Sequence, residues 1–98
     1  MGKVTFVDET TSGARREAGG LDAAEERLTL RELIRRRVTA EAGPGEAEGA
    51  YARAVAAFGR NGFLVLVGDR QVEELDETVE LDRDTEVTFL RLVPLAGG

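Results

Sequence analysis

Apolar and polar positions change period several times along the chain, and each change marks an element. Lys3-Val4-Thr5-Phe6-Val7 is rich in β-formers and predicts a strand, bounded by the polar turn Asp8-Glu9-Thr10-Thr11-Ser12-Gly13. Ala14 to Ala18 predicts a second strand pairing back on the first, although it lacks β-branched residues. Thr29-Leu30-Arg31-Glu32 then reads as a capping box. In that motif the threonine hydroxyl accepts an amide hydrogen bond and the glutamate reaches back to the cap's own N–H. Leu28 and Leu33 occupy the two staple positions around it, and Leu30, Leu33, Ile34 and Val38 recur at helical spacing. A helix from about Leu30 to Ala42 follows, with the arginines on its opposite side.

Gly43-Pro44-Gly45 ends that helix, and residues 46–60 predict a second, alanine-rich one with Ala50, Tyr51, Ala54, Val55 and Phe58 on one side. Gly59-Arg60-Asn61-Gly62 stops it with residues that tolerate left-handed backbone. Phe63 to Val67 is apolar throughout and reads as a buried strand, turned by Gly68-Asp69 into Arg70-Gln71-Val72. An acidic stretch, Glu73 to Glu86, precedes a final strand, Val87 to Val93, and the end Pro94-Leu95-Ala96-Gly97-Gly98. Helices on one face of a sheet are the economical way to bury these stripes. The fold class expected is therefore α+β: a mixed sheet of four to five strands, with a main helix and a second short helix on one face.

Composition narrows the chemistry. Ninety-eight residues, 42% hydrophobic and 33% charged, suit one globular domain, placed at residues 1–93 with 94–98 as a tail. A net charge of −6 argues against nucleic acid, whose affinity comes from cations displacing counterions. The basic cluster Arg31, Arg35, Arg36 and Arg37 has no interleaved aromatics and reads as a solvated helix face. There is no cysteine and no histidine, hence no thiolate metal site and no recognisable nucleophile–base pair; catalysis by the chain itself is not expected. No signal-peptide pattern is read at Met1-Gly2-Lys3-Val4-Thr5, and no apolar run spans a bilayer, so a soluble, cytoplasmic protein is expected. From Glu73 to Glu86 eight carboxylates face one arginine, Arg83, without the spacing or turn glycine of an EF-hand. They read as a solubilising surface or as one that steers a basic partner.

The element order and the diglycine end resemble the β-grasp, ubiquitin-like superfamily and its sulfur-carrier relatives, the molybdopterin-synthase small subunit and the thiamine-pathway carrier. Val67-Gly68-Asp69 is similar to the carriers' V-N-G turn, Thr85-Glu86-Val87 to their D-E-V, and Val93-Pro94-Leu95-Ala96-Gly97-Gly98 to their P-P-V-A-G-G ending. The match departs from ubiquitin itself, whose two tail arginines align with Pro94 and Ala96, which argues against a eukaryotic activating enzyme. A composition rich in Ala, Gly, Arg and Glu with one lysine suggests a high-GC bacterium, and the chain looks like a bacterial ubiquitin-like modifier.

The resemblance implies that Gly98 is the point of covalent attachment. An E1-like partner would use ATP to adenylate its carboxylate, the chain itself binding no cofactor. Pro94, Leu95, Ala96 and Gly97 would be the segment that partner recognises. An E2-like protein, a JAB-type protease and protein targets would complete the set, with no nucleic acid, membrane or metal involved. Three outcomes stay open: attachment to a target amine, a thiocarboxylate at Gly98 that donates sulfur, and a non-covalent adaptor with an incidental tail. Alternation adds one surface, because Val87 and Phe89 face one side of the last strand and Thr88, Leu90 and Leu92 the other. Leu90 and Leu92, with one alternate set from Phe63–Val67, would form a partner patch if the second helix leaves them uncovered.

Overall fold

The computed structural model describes residues 2–92. Strands β1 (Gly2–Thr10) and β2 (Arg15–Ala23) form an antiparallel hairpin. Both are longer than their β-formers predict, and Asp8, Glu9 and Thr10 belong to β1 rather than to the turn. The reason lies in Gly19 and Gly20. The pairing register shifts between Thr5 and Val7, and Gly19 absorbs the shift with φ of +101°. A Cβ at Gly20 would stand 2.4 Å from the Val4 carbonyl oxygen. These residues keep β2 against β1 through an irregularity that side chains would obstruct.

A short strand β3 (Arg27–Thr29) leads into helix α1 (Leu30–Glu41), whose start is half of a capping box. Thr29 Oγ1 accepts from the Glu32 N–H at 3.2 Å, but the Glu32 carboxylate takes Arg36 Nε at 2.9 Å instead of returning to the cap. Leu28 and Leu33, the staple pair, both enter the core. Helix α2 (Ala47–Gly59) ends where Asn61 adopts φ of 60° and the Gly62 N–H donates to Ala57 O at 2.7 Å.

Strands β4 (Phe63–Val67), β5 (Arg70–Val72), β6 (Thr78–Glu80) and β7 (Thr85–Arg91) complete the chain's order. The main sheet runs β2-β1-β7-β4-β5, with β7 parallel to β1 and antiparallel to β4. A second, two-stranded sheet joins β3 to β6. This α+β arrangement, a mixed five-stranded sheet with its helices packed on it, fits the β-grasp fold. The acidic stretch is more than a surface: Val79 is fully buried, Leu81 nearly so, and Leu75 packs against the same core.

The core lies between α1 and the sheet. Leu30, Leu33 and Ile34 meet Val4, Phe6, Val65 and Val87, while Tyr51, Ala54 and Phe58 of α2 close one flank. Leu33 is wholly buried in that layer, so Leu33→Ala removes a side chain the surroundings cannot refill. A loss of about 2–5 kcal/mol is expected, measured by urea unfolding; a loss below ~1 kcal/mol would contradict this packing.

Candidate functional site

The strand that leads to the diglycine sits at the centre of the sheet. β7 is paired on both sides, with β1 and with β4, up to Arg91, whose carbonyl accepts from the Thr11 N–H at 3.1 Å. The sequence-predicted residues Pro94, Leu95, Ala96, Gly97 and Gly98, with Val93 of the predicted strand, lie outside the described residues. The base from which they continue is thus fixed by two ladders of backbone hydrogen bonds.

Pairing registers settle which side chains share the face away from the helices. Val65, Val87 and Phe89 belong to the helix side, so alternation turns Leu64, Leu66, Thr88 and Leu90 to the other. Across the strands Leu90 stands opposite Leu64, and Leu66 stands between Thr88 and Gln71. Leu64, Leu66 and Leu90 are half-buried, and Leu92, just past the strand, is 45% exposed. Helix α2 does not cover them, because Phe58 packs on Phe63 of the opposite face with ring centroids 5.8 Å apart. The alternate set that accompanies Leu90 is therefore Leu64 and Leu66, a choice that sequence alone left open.

This leucine strip has a charged border. Arg15 on β2 donates to Glu9 at 2.9 Å and to Glu86 on β7 at 2.8 Å. A guanidinium reaching from β2 to β7 must cross the outer face of β1, where Val7 stands between Thr5 and Glu9. Val7 is accordingly 3% exposed yet outside the core cluster. The apolar surface is confined to β4 and β7, and it ends at this ion-paired bridge.

The four helix arginines do not form an open cationic face. Arg31 pairs with Asp76 at 3.0 Å, Arg35 with Glu48 at 3.2 Å, Arg36 with Glu25 and Glu32, and Arg37 with Asp8 and Glu41. Each clamps α1 to a neighbour or to itself. Arg37 also corrects the expectation that all four oppose the apolar stripe. Its side chain is only 13% exposed, and its guanidinium carbon lies 4.6 Å from the Phe89 ring centre. Burial pushes Arg37 down, but the hydrogen bond and charge of Asp8, with the charge of Glu41, leave it raised overall. Asp8 in turn is held below its ordinary value, first by the Arg37 hydrogen bond.

Among the described residues no group of three or more His, Cys, Asp or Glu is arranged to hold a metal ion. Nor is any described helix long and apolar enough to cross a membrane. No known family's sequence model matches this chain, and no curated protein matches it either.

Two measurements follow from this geometry. Val65→Asp should fail to fold, because it buries a charge, whereas Leu66→Asp should remain folded with a loss of about 1–2 kcal/mol; circular dichroism melts compare them, and equal damage would mean the faces are misassigned. The acid response is the second. The Arg36 hydrogen bond lowers Glu25 from 4.5 to about 2, and Asp8 is lowered from 3.8. A carboxyl with a depressed folded value stabilises above its unfolded value and loses that contribution as pH falls. Stability should therefore drop from pH 4.5 downward towards about 2. Asp8→Asn should flatten that slope and cost about 1–3 kcal/mol at pH 7, between an exposed and a buried pair.

Proposed function

We propose that the chain is a bacterial, cytoplasmic ubiquitin-like protein modifier whose Gly98 carboxylate is activated and joined to an amine on a target protein. The observation that carries this reading is the position of β7. A strand paired on both sides in a β-grasp sheet leads directly into Val93-Pro94-Leu95-Ala96-Gly97-Gly98.

The chemistry is divided between the chain and its partners. A carboxylate is a poor acyl donor, so an E1-like enzyme first joins it to the α-phosphate of ATP, releasing pyrophosphate. A partner's thiolate or the target amine then attacks the acyl carbon, and AMP leaves with the bonding electron pair. This chain has no cysteine, so any thiol step belongs to a partner. Gly97 and Gly98 lack Cβ atoms, which lets the backbone thread a narrow channel and take angles closed to other residues. Pro94 has no N–H, so it cannot extend the ladder that ends with β7. The leucine strip on the uncovered sheet face would supply a non-covalent contact for the enzymes that handle the tail.

The Pro94-Leu95-Ala96 segment favours a second reading, a sulfur carrier, because the carriers' tails are similar there. In that case sulfide equivalents from a donor replace AMP and leave a thiocarboxylate on Gly98.

Intact mass spectrometry of the protein purified from its native host distinguishes the two. The modifier reading predicts larger covalent adducts that disappear when Gly98 is deleted. Replacement of one terminal oxygen by sulfur would give the function to the carrier reading. If deletion of Gly97-Gly98 changes neither adducts nor binding partners, the tail is incidental and both fail.

A further inference from the structure

An open groove of about 510 Å³ lies on the helix side of the sheet, at the end where β1 and β7 stop and β4 begins. It is separate from the leucine strip, which occupies the opposite face. Its apolar lining is Ile34 and Val38 of α1, Ala54 of α2, Phe63 and Phe89. All but Ile34 are only half-buried, so apolar surface is left facing the groove.

The charges around this lining are unequally committed. Three acidic residues line the groove, and each carboxylate already has a cation: Asp8 accepts from Arg37 twice at 2.7 Å, Glu41 from Arg37 at 3.1 Å, and Glu9 from Arg15 at 2.9 Å on the outer face of β1. Two arginines remain. Arg91 has no acidic partner among the described residues. Arg16 reaches only Asp8 Oδ2, at 3.5 Å, an oxygen already taken by Arg37, and its side chain is 79% exposed. The uncommitted charge at this rim is therefore positive, on a chain whose net charge is −6.

An apolar lining between Arg91, which has no acidic partner among the described residues, and Arg16, held only by one long contact to Asp8, is complementary to an apolar side chain flanked by carboxylates, which arginine binds through paired hydrogen bonds. Two cations are too few to hold a nucleic-acid backbone beside so acidic a protein. A cleft of this volume takes one or two side chains of a linear segment rather than a folded surface. We propose that the groove docks a linear segment of a partner protein, with an apolar side chain seated against Val38, Phe63 and Phe89 and acidic residues on Arg16 and Arg91. This is independent of any chemistry at Gly98.

Selection of random linear peptides displayed on phage against the full chain tests the proposal. Enriched peptides should carry Asp or Glu beside Leu, Ile or Phe, and in a labelled sample they should shift the amide signals of Arg16, Val38 and Arg91. Reversing both charges, Arg16→Glu with Arg91→Glu, should weaken the selected peptide by roughly tenfold or more, while the double lysine variant keeps most of the affinity. A thermal melt establishes that the reversed variant is folded; should it not be, Arg91→Gln alone carries the comparison. Failure to enrich any peptide, basic sequences, shifts at Leu64, Leu66 and Leu90, or indifference to charge reversal would each overturn the proposal. So would binding by a chain ending at Leu92 but not by the full chain, which would assign the groove to residues 93–98. A dimer in light scattering that buries the groove would likewise assign it to a second copy.

Discussion

The seating of α1 on the sheet is the contact from which the remaining geometry follows. Leu30, Leu33 and Ile34 are almost wholly buried against Val4, Phe6, Val65 and Val87. Those three helix residues fix the depth of the helix, because interiors pack too densely to let it settle elsewhere. Its orientation is shared with the arginines. Arg31, Arg35, Arg36 and Arg37 tie it to Asp76, Glu48, Glu25 and Asp8, which stand on four different segments of the chain. Exposed ion pairs contribute little singly. The Arg37–Asp8 pair differs, since it is mostly shielded and lies against two aromatic rings.

With the helices committed to one side, the sheet acquires two unlike faces. The covered one ends in a groove with an arginine-rich rim, and the uncovered one presents Leu64, Leu66 and Leu90 beside an ion-paired border. β7 runs between these surfaces and ends where both are accessible. A partner that acted on the residues beyond Leu92 would thus meet a rigid base rather than a loop. The division of labour proposed above needs no side chain of this protein to react: the scaffold supplies recognition and a fixed departure point, and the covalent steps fall to other proteins.

Much of this fold was legible because local signals agreed with one another. Thr29, the staple pair and the stripe through Ile34 all specify the same helix start, and the observed α1 begins where they place it. Phe63–Val67 and its Gly68 turn were equally plain. Other features were not. β3 and β6 are three residues each, too short for alternation to register, and the buried Val79 and Leu81 were masked by surrounding carboxylates. The length of β2 depends on what Gly19 and Gly20 permit against β1, a pairing effect with no local pattern. Arg37 sits at the margin of the helical stripe, where burial is decided by Phe6, Phe89 and Asp8 from other segments. The leucine face was half legible: alternation grouped Leu90 with Leu92, but only the register of β4 on β7 could choose Leu64 and Leu66 as their neighbours. The groove charges were invisible, because commitment of a carboxylate is a property of the folded chain.

The role proposed for Gly98, an acyl group awaiting activation, can be read by trapping with hydroxylamine. The full chain would be incubated with ATP, hydroxylamine and an extract of its native host, and its C-terminal peptide then sequenced by mass spectrometry. Attack of hydroxylamine on an acyl adenylate or thioester expels AMP or the thiol and leaves a hydroxamate. The expected product is a hydroxamate on Gly98 that requires both ATP and extract and is absent from a chain lacking Gly97-Gly98. A free carboxylate on Gly98 under all conditions, in an extract whose other activating enzymes yield hydroxamates, would contradict that role.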